Sequence, residues 1–233
     1  HGVGRDPFVG GMGCRDHAGV CWLATARHAL GGLLFGGPQN MARSRPARLD
    51  DHALSLDRGV HACLLAGRSG DIKMHYRIEA ADHHAHLYGV TLTITQPAAN
   101  QRVSLPVWIA GSYMVREFAK QITGISARQG KRAVTVQQLD KATWAVDCEA
   151  GTPLTLHYQV HAHDDSVRTA WLTTQRGFFN GTSLCLQAEG LADVPHQLEL
   201  VAESFNAAVN THPASSKWQV ATGLTPVKID RQG

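Results

Sequence analysis

The pattern of hydrophobic and polar positions changes at Met74. From that residue onward, apolar and polar side chains alternate or form short apolar runs, and clusters of turn residues separate the runs. Alternation with a period of two places one side of a strand against a core and the other side in water. The pattern therefore predicts a mainly β domain over residues 74–224.

Eight strands are predicted in this region. They cover residues 86–96, 101–109, 122–130, 133–140, 142–148, 153–163, 182–190 and 196–204. The first two read as consecutive antiparallel strands, and the next four read as a meander whose turns contain Gln129-Gly130, Asp140-Lys141 and Glu149-Ala150-Gly151. Roughly eight strands close a two-layer core, so the expected fold is a β-sandwich or a saddle-like antiparallel domain.

Four leucines near the end of the predicted domain are expected to face inward. They are Leu184, Leu186, Leu198 and Leu200, and each is separated from its pair by one residue. Cys148 and Cys185 lie in similar alternating segments without a neighbouring base, so buried packing is expected for both rather than a nucleophilic role.

Residues 1–73 have a different composition. They hold 13 of the 23 glycines and contain no glutamate and no tyrosine, and only a short helix over residues 20–30 is predicted. Such a segment offers little to bury. We expect a leader that is disordered or spuriously translated, with Met74 as a natural start, and we expect its removal to leave the melting of the domain unchanged. The alternative is a regulatory or binding extension.

Charge and cysteine content exclude several classes of protein. The net charge is +3, and the basic residues are scattered rather than clustered, so neither nucleic acid nor a membrane is expected as a partner. The apolar run at 21–37 is interrupted by Arg27 and His28 and is too short to span a bilayer. Five cysteines without a CxxC pair indicate a reducing compartment, so a cytoplasmic location is expected.

Two histidine pairs have a spacing that suits a metal. His84 and His86, and His161 and His163, are each separated by one residue, which puts both rings of a pair on the same face of a strand, about 7 Å apart. Four imidazoles are enough ligands for zinc, and this stays an alternative. Acidic neighbours such as Asp82 and Asp164 favour solvated strand ends instead. No HExxH, GxSxG, GxxxxGK[ST] or GxGxxG motif is present.

Residues 105–120, LPVWIAGSYMVREFAK, fit no single period. The run 105–109 is predicted as a buried strand, Gly111-Ser112 as a turn, and 113–118 as a short irregular or helical segment over the sheet. Trp108 and Phe118 are expected in the core. Tyr113 and Arg116 are expected to hold the corner by polar contacts.

Residues 166–181, SVRTAWLTTQRGFFNG, form a long aromatic connection between predicted strands. Connections of this length are often functional. The alternative is a β-hairpin whose aromatic side chains belong to the core.

Four segments resemble the amino-terminal domain of the glycyl aminopeptidase family of zinc metallopeptidases. They are LPVWIAGSYMVREFA (105–119), DKATW (140–144), DDSVRTAWL (164–172) and RGFFNGTSLCL (176–186), in that order. In that family, a β-rich amino-terminal domain precedes a thermolysin-like catalytic domain that carries HExxH, and a PDZ domain often follows. Ala110 departs from the pattern, since proline is expected there.

The resemblance implies a role without catalytic residues in this chain. Zinc is expected in a catalytic domain in cis, residues 225–233 are expected to lead toward that domain, and the chain alone is expected to be inactive. The β domain would cover the cleft that receives peptides with amino-terminal Gly or Ala, with Phe179, Asn180 and Gly181 at its edge. The alternative is a stand-alone interaction module derived from the same domain.

Overall fold

The structure is a computed structural model, and it describes residues 32–36, 54–55, 62–66, 73–109, 114–201, 204–205 and 218–227. Within them, the strands in chain order are β1 (Gly32–Gly36), β2 (Leu54–Ser55), β3 (Ala62–Ala66), β4 (Met74–Asp82), β5 (Leu87–Ile94), β6 (Gln101–Ser104), β7 (Ile122–Gln129), β8 (Arg132–Val134), β9 (Val136–Gln138), β10 (Thr143–Val146), β11 (Leu154–His161), β12 (Ala170–Leu172), β13 (Arg176–Asn180), β14 (Gln187–Ala188), β15 (His196–Leu200), β16 (Gln219–Ala221) and β17 (Thr225–Val227). A 3-10 helix covers Phe118–Gln121, and helix α1 covers Gly181–Leu184.

The strands form three sheets. The largest has eight strands in the order β17-β3-β15-β4-β5-β11-β7-β8, and the others have the orders β12-β13-β1-β16-β2 and β14-β6-β10-β9. All pairings are antiparallel except that of β15 with β4. The prediction of a mainly β, largely antiparallel domain is confirmed.

One face of the eight-stranded sheet carries most of the core. The strictly alternating residues of β4, β5 and β11 lie in register on this face, so that Tyr76 is opposite Leu92 and Leu92 is opposite Leu156. All three are buried, while the intervening threonines on the other face stay partly exposed. This is the division that the period of two predicts. Leu184, Leu186, Leu198 and Leu200 are also fully buried, as predicted.

Buried tyrosines fasten the segment after helix α1 to this face. The Tyr158 hydroxyl donates to the Leu184 carbonyl at 2.9 Å and accepts from the Leu186 N–H at 3.1 Å, and the Tyr76 hydroxyl donates to the Leu186 carbonyl at 2.8 Å. Burial raises the pKa of both phenols well above their ordinary value, so both stay protonated. Each phenol therefore supplies the hydrogen bond that a buried backbone group needs.

The predicted pairing of strands was wrong in two places. β5 and β6 are not neighbours, because β5 has β4 on one side and β11 on the other, and β6 joins the four-stranded sheet. The meander is also broken, since β11 pairs with β5 and β7 rather than with β10. Alternation reports which face of a strand is buried and leaves its partner undetermined.

Three predicted strands have different limits. The strand expected at 101–109 ends at Ser104, because Pro106 has no N–H to donate to a ladder. The one expected at 133–140 is split at Thr135, where the chain passes from the eight-stranded to the four-stranded sheet. The one expected at 182–190 begins as helix α1, because the Asn180 side chain accepts a hydrogen bond from the Thr182 N–H and so caps a helix.

Strand β4 was not predicted, although Met74, Tyr76, Ile78 and Ala80 are all buried on one face.

The long aromatic connection is a hairpin of β12 and β13, which confirms the hairpin interpretation. Gly130 and Gly151 have φ of 57° and 73°, as the predicted turns require.

Three strands come from the region interpreted as a leader. β1 lies between β13 and β16, β2 pairs with β16, and β3 lies between β15 and β17. The sequence did not indicate them, and they place residues before Met74 inside two of the sheets. The predicted helix at 20–30 lies outside the described residues, and the leader interpretation as a whole stays a prediction.

The corner at 105–120 is only partly as expected. Phe118 is buried, as predicted, but the prediction for Trp108 was wrong, since 48% of its surface is exposed. Strand β6 has already ended there, so no sheet holds Trp108 inward. Tyr113 lies outside the described residues.

Among the described helices, none is long and apolar enough to cross a bilayer.

Candidate functional site

A cleft of about 530 Å3 opens where the segment 115–121 meets the region 160–183. One wall is the segment 115–121, which follows the irregular corner and contains the 3-10 helix. The other wall is formed by the loop before β12 and by Ser183 of helix α1, and the end of β11 lies between the walls. Ligand sites commonly form in concave regions of this size.

The floor of the cleft is rigid and apolar. Phe118, Val160 and Ala170 line it and are buried in the core. The first wall is tied down at its start, where the Arg116 N–H donates to the Val107 carbonyl at 2.6 Å. This bond closes the loop between residues 107 and 116 at its base.

Hydrogen bonds hold the opposite wall. The Thr169 hydroxyl contacts the carbonyls of Asp164 and Ser166 at 3.0 and 2.9 Å, and Ser183 Oγ donates to the Thr169 carbonyl at 2.9 Å. The Asn180 N–H also donates to the Thr169 carbonyl, at 3.0 Å. These contacts join the loop to the start of helix α1, so the hairpin and the helix present one wall.

The cleft carries both signs of charge. Arg116 and Lys120 are cationic, Glu117 and Asp164 are anionic, and His161 adds a titratable ring. Lys141 contacts Glu117 at 2.8 Å and lowers the pKa of that carboxyl, which is therefore ionised over the physiological range. One oxygen of Asp164 accepts from the Ser166 N–H at 2.9 Å. The cleft thus suits a polar ligand that itself carries charged groups.

The three residues predicted at a substrate edge lie beside this cleft rather than on its surface. Phe179 is fully buried and packs edge-on against Tyr88, with ring centroids 5.6 Å apart. Gly181 is buried, and Asn180 uses its side chain to cap helix α1. They position Thr169 and Ser183, which line the cleft. Their direct contact with a substrate stays a prediction.

The histidine pairs meet in part but do not converge on a point. His86 stacks on His163 with centroids 3.9 Å apart, His163 stacks on Trp171 at 4.8 Å, and His161 meets His163 edge-on at 6.3 Å. His86 Nδ1 donates to the Leu172 carbonyl at 2.5 Å. Stacked rings cannot direct their nitrogens at one ion, and in the described part of the chain no group of three metal-ligating side chains is close enough to hold a metal.

Cys148 and Cys185 are both buried free thiols, as predicted. Burial raises the pKa of the Cys185 thiol far above its ordinary value. A protonated, buried thiol is a poor nucleophile, so Cys185 is not placed for chemistry. Cys148 is buried, with its Sγ 3.4 Å from the Ala98 carbonyl.

Comparison with known proteins identifies the family. The profile described as the Peptidase M61 N-terminal domain matches residues 75–232, which includes all of the cleft. The mainly β fold and the profile match together identify the class of protein, a β-rich domain associated with a peptidase. The chain belongs to peptidase family M61, the glycyl aminopeptidase family, and 75–232 is its amino-terminal domain.

One solved structure supports this assignment. The crystal structure of an aminopeptidase N family protein from Idiomarina loihiensis is 34% identical in sequence and superposes with a TM-score of 0.54. The match covers 65% of this chain and 30% of that protein, so the chain spans about three tenths of its length. No protein in a collection of curated proteins matches.

Proposed function

We propose that this chain is the non-catalytic part of an M61 aminopeptidase, and that its cleft borders the site that receives peptides with amino-terminal Gly or Ala. The observation that supports this is which segments of the chain form the cleft walls. Segment 105–119 is far in sequence from the two neighbouring segments 164–172 and 176–186, and all three contribute residues to the same cleft. They are also three of the four segments that resemble the family.

The chemistry of the cleft suits the amino terminus of a peptide. A free amine at neutral pH is an ammonium ion, which needs a carboxylate and further hydrogen-bond acceptors. Asp164 supplies a carboxylate on the exposed wall, whereas Glu117 is already paired with Lys141. The cationic side chains of Arg116 and Lys120 suit the carbonyl oxygens or the carboxylate of a short peptide. In this proposal, the residues of this chain bind and orient the substrate.

Zinc and the residues that activate water belong to a catalytic domain in cis. A zinc peptidase polarises the scissile carbonyl and lowers the pKa of a bound water. The described residues of this chain do not fit such a metal, because the nearest candidates are stacked imidazoles. Reading the coding frame beyond residue 233 for an HExxH segment tests the presence of this partner.

The cleft itself is tested by kinetics on the peptidase that carries this domain together with its catalytic domain. Asp164→Asn removes the charge with little change in shape. Asp147→Asn is the matched control, because Asp147 is exposed and does not line the cleft. We expect kcat/KM for glycine and alanine p-nitroanilides to fall about tenfold or more in the first variant, since a hydrogen bond to a charged group contributes ~1.5–3 kcal/mol. Equal kcat/KM in both variants would contradict the proposal.

A further inference from the structure

Exposed apolar side chains are concentrated at the mouth of the cleft. In the described part of the chain, the large apolar residues with high exposure are Val107, Trp108, Met114, Val115, Leu139 and Val167. Val115 lies on the cleft wall 115–121, Val107, Trp108 and Met114 lie shortly before that wall in sequence, and Val167 lies in the loop 164–169 of the opposite wall. We call these five residues the apolar rim.

The contacts around the cleft join the rim into one surface. The hydrogen bond between the Arg116 N–H and the Val107 carbonyl brings the two ends of the corner together, so the residues on each side of it are neighbours. Val115 lines the cleft on one wall, and Asp164 and Thr169 line it on the other. Val167 lies on the loop between them, which is closed by the bond from the Thr169 N–H to the Ser166 carbonyl at 3.1 Å. The rim therefore flanks the cleft from both sides.

The exposure of these side chains is high for their type. Met114, Val115 and Val167 are 63%, 73% and 72% exposed, and Trp108 is close to half exposed. Single exposed apolar residues are common on soluble proteins and need no explanation. Several around one concave site are the usual mark of an interaction surface, and a half-exposed tryptophan is a typical anchor of one.

We propose that the apolar rim is the surface on which the catalytic domain of the same peptidase docks. This inference rests on the proposed function and adds the location of the domain interface. The catalytic domain would bury Trp108 and Val115 on one side of the cleft and Val167 on the other. The mouth of the cleft then opens into the space between two domains.

Two observations favour this occupant. The Idiomarina loihiensis protein continues well beyond the matched region, which accounts for 30% of its length, so a domain of this kind has a large neighbour in the same chain. The charges inside the rim are balanced, with Arg116 and Lys120 against Glu117 and Asp164. An anionic membrane attracts clusters of one sign, which this surface lacks. Pockets between domains are also a preferred place for ligands.

The test is binding in trans. The partner is the part of the Idiomarina loihiensis protein outside the matched region, expressed separately, and binding to the 233-residue chain is measured by calorimetry. The variant Val115→Lys/Val167→Lys places charges on both sides of the cleft. Leu139→Lys is the matched control, because Leu139 is an exposed apolar residue that does not belong to the rim. Circular dichroism and melting confirm that each variant and the separately expressed partner are folded.

We expect the unaltered chain and Leu139→Lys to bind equally, and the double variant to bind at least about tenfold more weakly, which corresponds to ~1.4 kcal/mol. Hydrogen exchange of the unaltered chain gives a second measure that needs no variant, with protection on binding predicted at 107–109 and 164–169. Equal binding of the double variant and the control overturns the inference, as does protection confined to another face or failure of the unaltered chain to bind.

Light scattering tests whether a second copy of this chain, rather than the catalytic domain, covers the apolar rim. A chain that dimerises alone, and becomes monomeric in the double variant, uses the rim for a second copy, and this also overturns the inference. The proposed function can survive that result. If Asp164→Asn still lowers kcat/KM in the peptidase, the cleft borders the substrate even though the catalytic domain docks elsewhere.

Discussion

Replacement of Tyr158 by phenylalanine removes one oxygen atom from the middle of the core and two hydrogen bonds with it. The ring of Tyr158 is fully buried, and its hydroxyl serves the Leu184 carbonyl at 2.9 Å and the Leu186 N–H at 3.1 Å. The variant keeps the ring packing. It leaves a backbone acceptor and a backbone donor buried without the partner that the phenol supplies.

The expected cost follows from these two groups. A buried polar group that loses its partner costs about 1–3 kcal/mol, so the variant, which leaves two such groups, should lose ~2–6 kcal/mol of unfolding free energy. Domains are stable by only about 5–15 kcal/mol, so this is a large fraction. For a chain of this size, 1 kcal/mol lowers the Tm by about 2–4 °C, which predicts a shift of roughly 4–24 °C.

Tyr76→Phe is the internal comparison. Tyr76 is equally buried and donates only one hydrogen bond, to the Leu186 carbonyl at 2.8 Å. Urea denaturation of both variants should therefore rank the loss in Tyr158→Phe above that in Tyr76→Phe. The segment after helix α1 should also loosen in Tyr158→Phe, seen as faster hydrogen exchange of the Leu186 N–H, which donates to the phenol, and of the Cys185 N–H, which donates to the Gly181 carbonyl. A loss below ~0.5 kcal/mol for Tyr158→Phe would refute the anchoring of this segment by the phenol.

Two further predictions concern the limits and the pH dependence of the domain. A chain of residues 74–233 should melt below the full chain, since deletion removes β1 and β3 from the middle of two sheets; equal melting temperatures would support the leader interpretation. The unfolding free energy should fall as the pH drops below about 6.5, because burial lowers the pKa of His83 in the folded state and protonation then favours the unfolded chain. His83→Gln should weaken this fall, and a pH profile identical to that of the unaltered chain would count against the role of His83.

The part of the fold that the sequence predicts is the part set by local pattern. Alternation at Leu198 and Leu200 identified buried positions, because a buried face admits only one register of side chains. The same alternation of apolar and polar residues is present at Met74–Asp82, where no strand was predicted. The pairing of strands was not predictable, since β5 and β6 both alternate buried and more exposed residues and yet lie in different sheets.

The cleft shows why the candidate site was predicted only approximately. Phe179 and Asn180 were singled out from an aromatic segment that resembles the family, and the structure places them one layer behind the cleft wall. Asp164 and Thr169 line the wall, in a neighbouring segment that also resembles the family. A cleft formed between the segment 115–121 and the distant region 160–183 has no local period, so the sequence indicated its segments and could not rank the residues within them.

The central claim is that this domain borders the substrate site of an M61 peptidase. A peptide with amino-terminal glycine and a photoreactive side chain, irradiated on the peptidase that carries this domain together with its catalytic domain, tests it most directly. The proposed function predicts that mass spectrometry finds crosslinks within 115–121 or 164–170, and that excess unlabelled peptide removes them. Crosslinks confined to the catalytic domain, or to the polar face of the eight-stranded sheet, would contradict it.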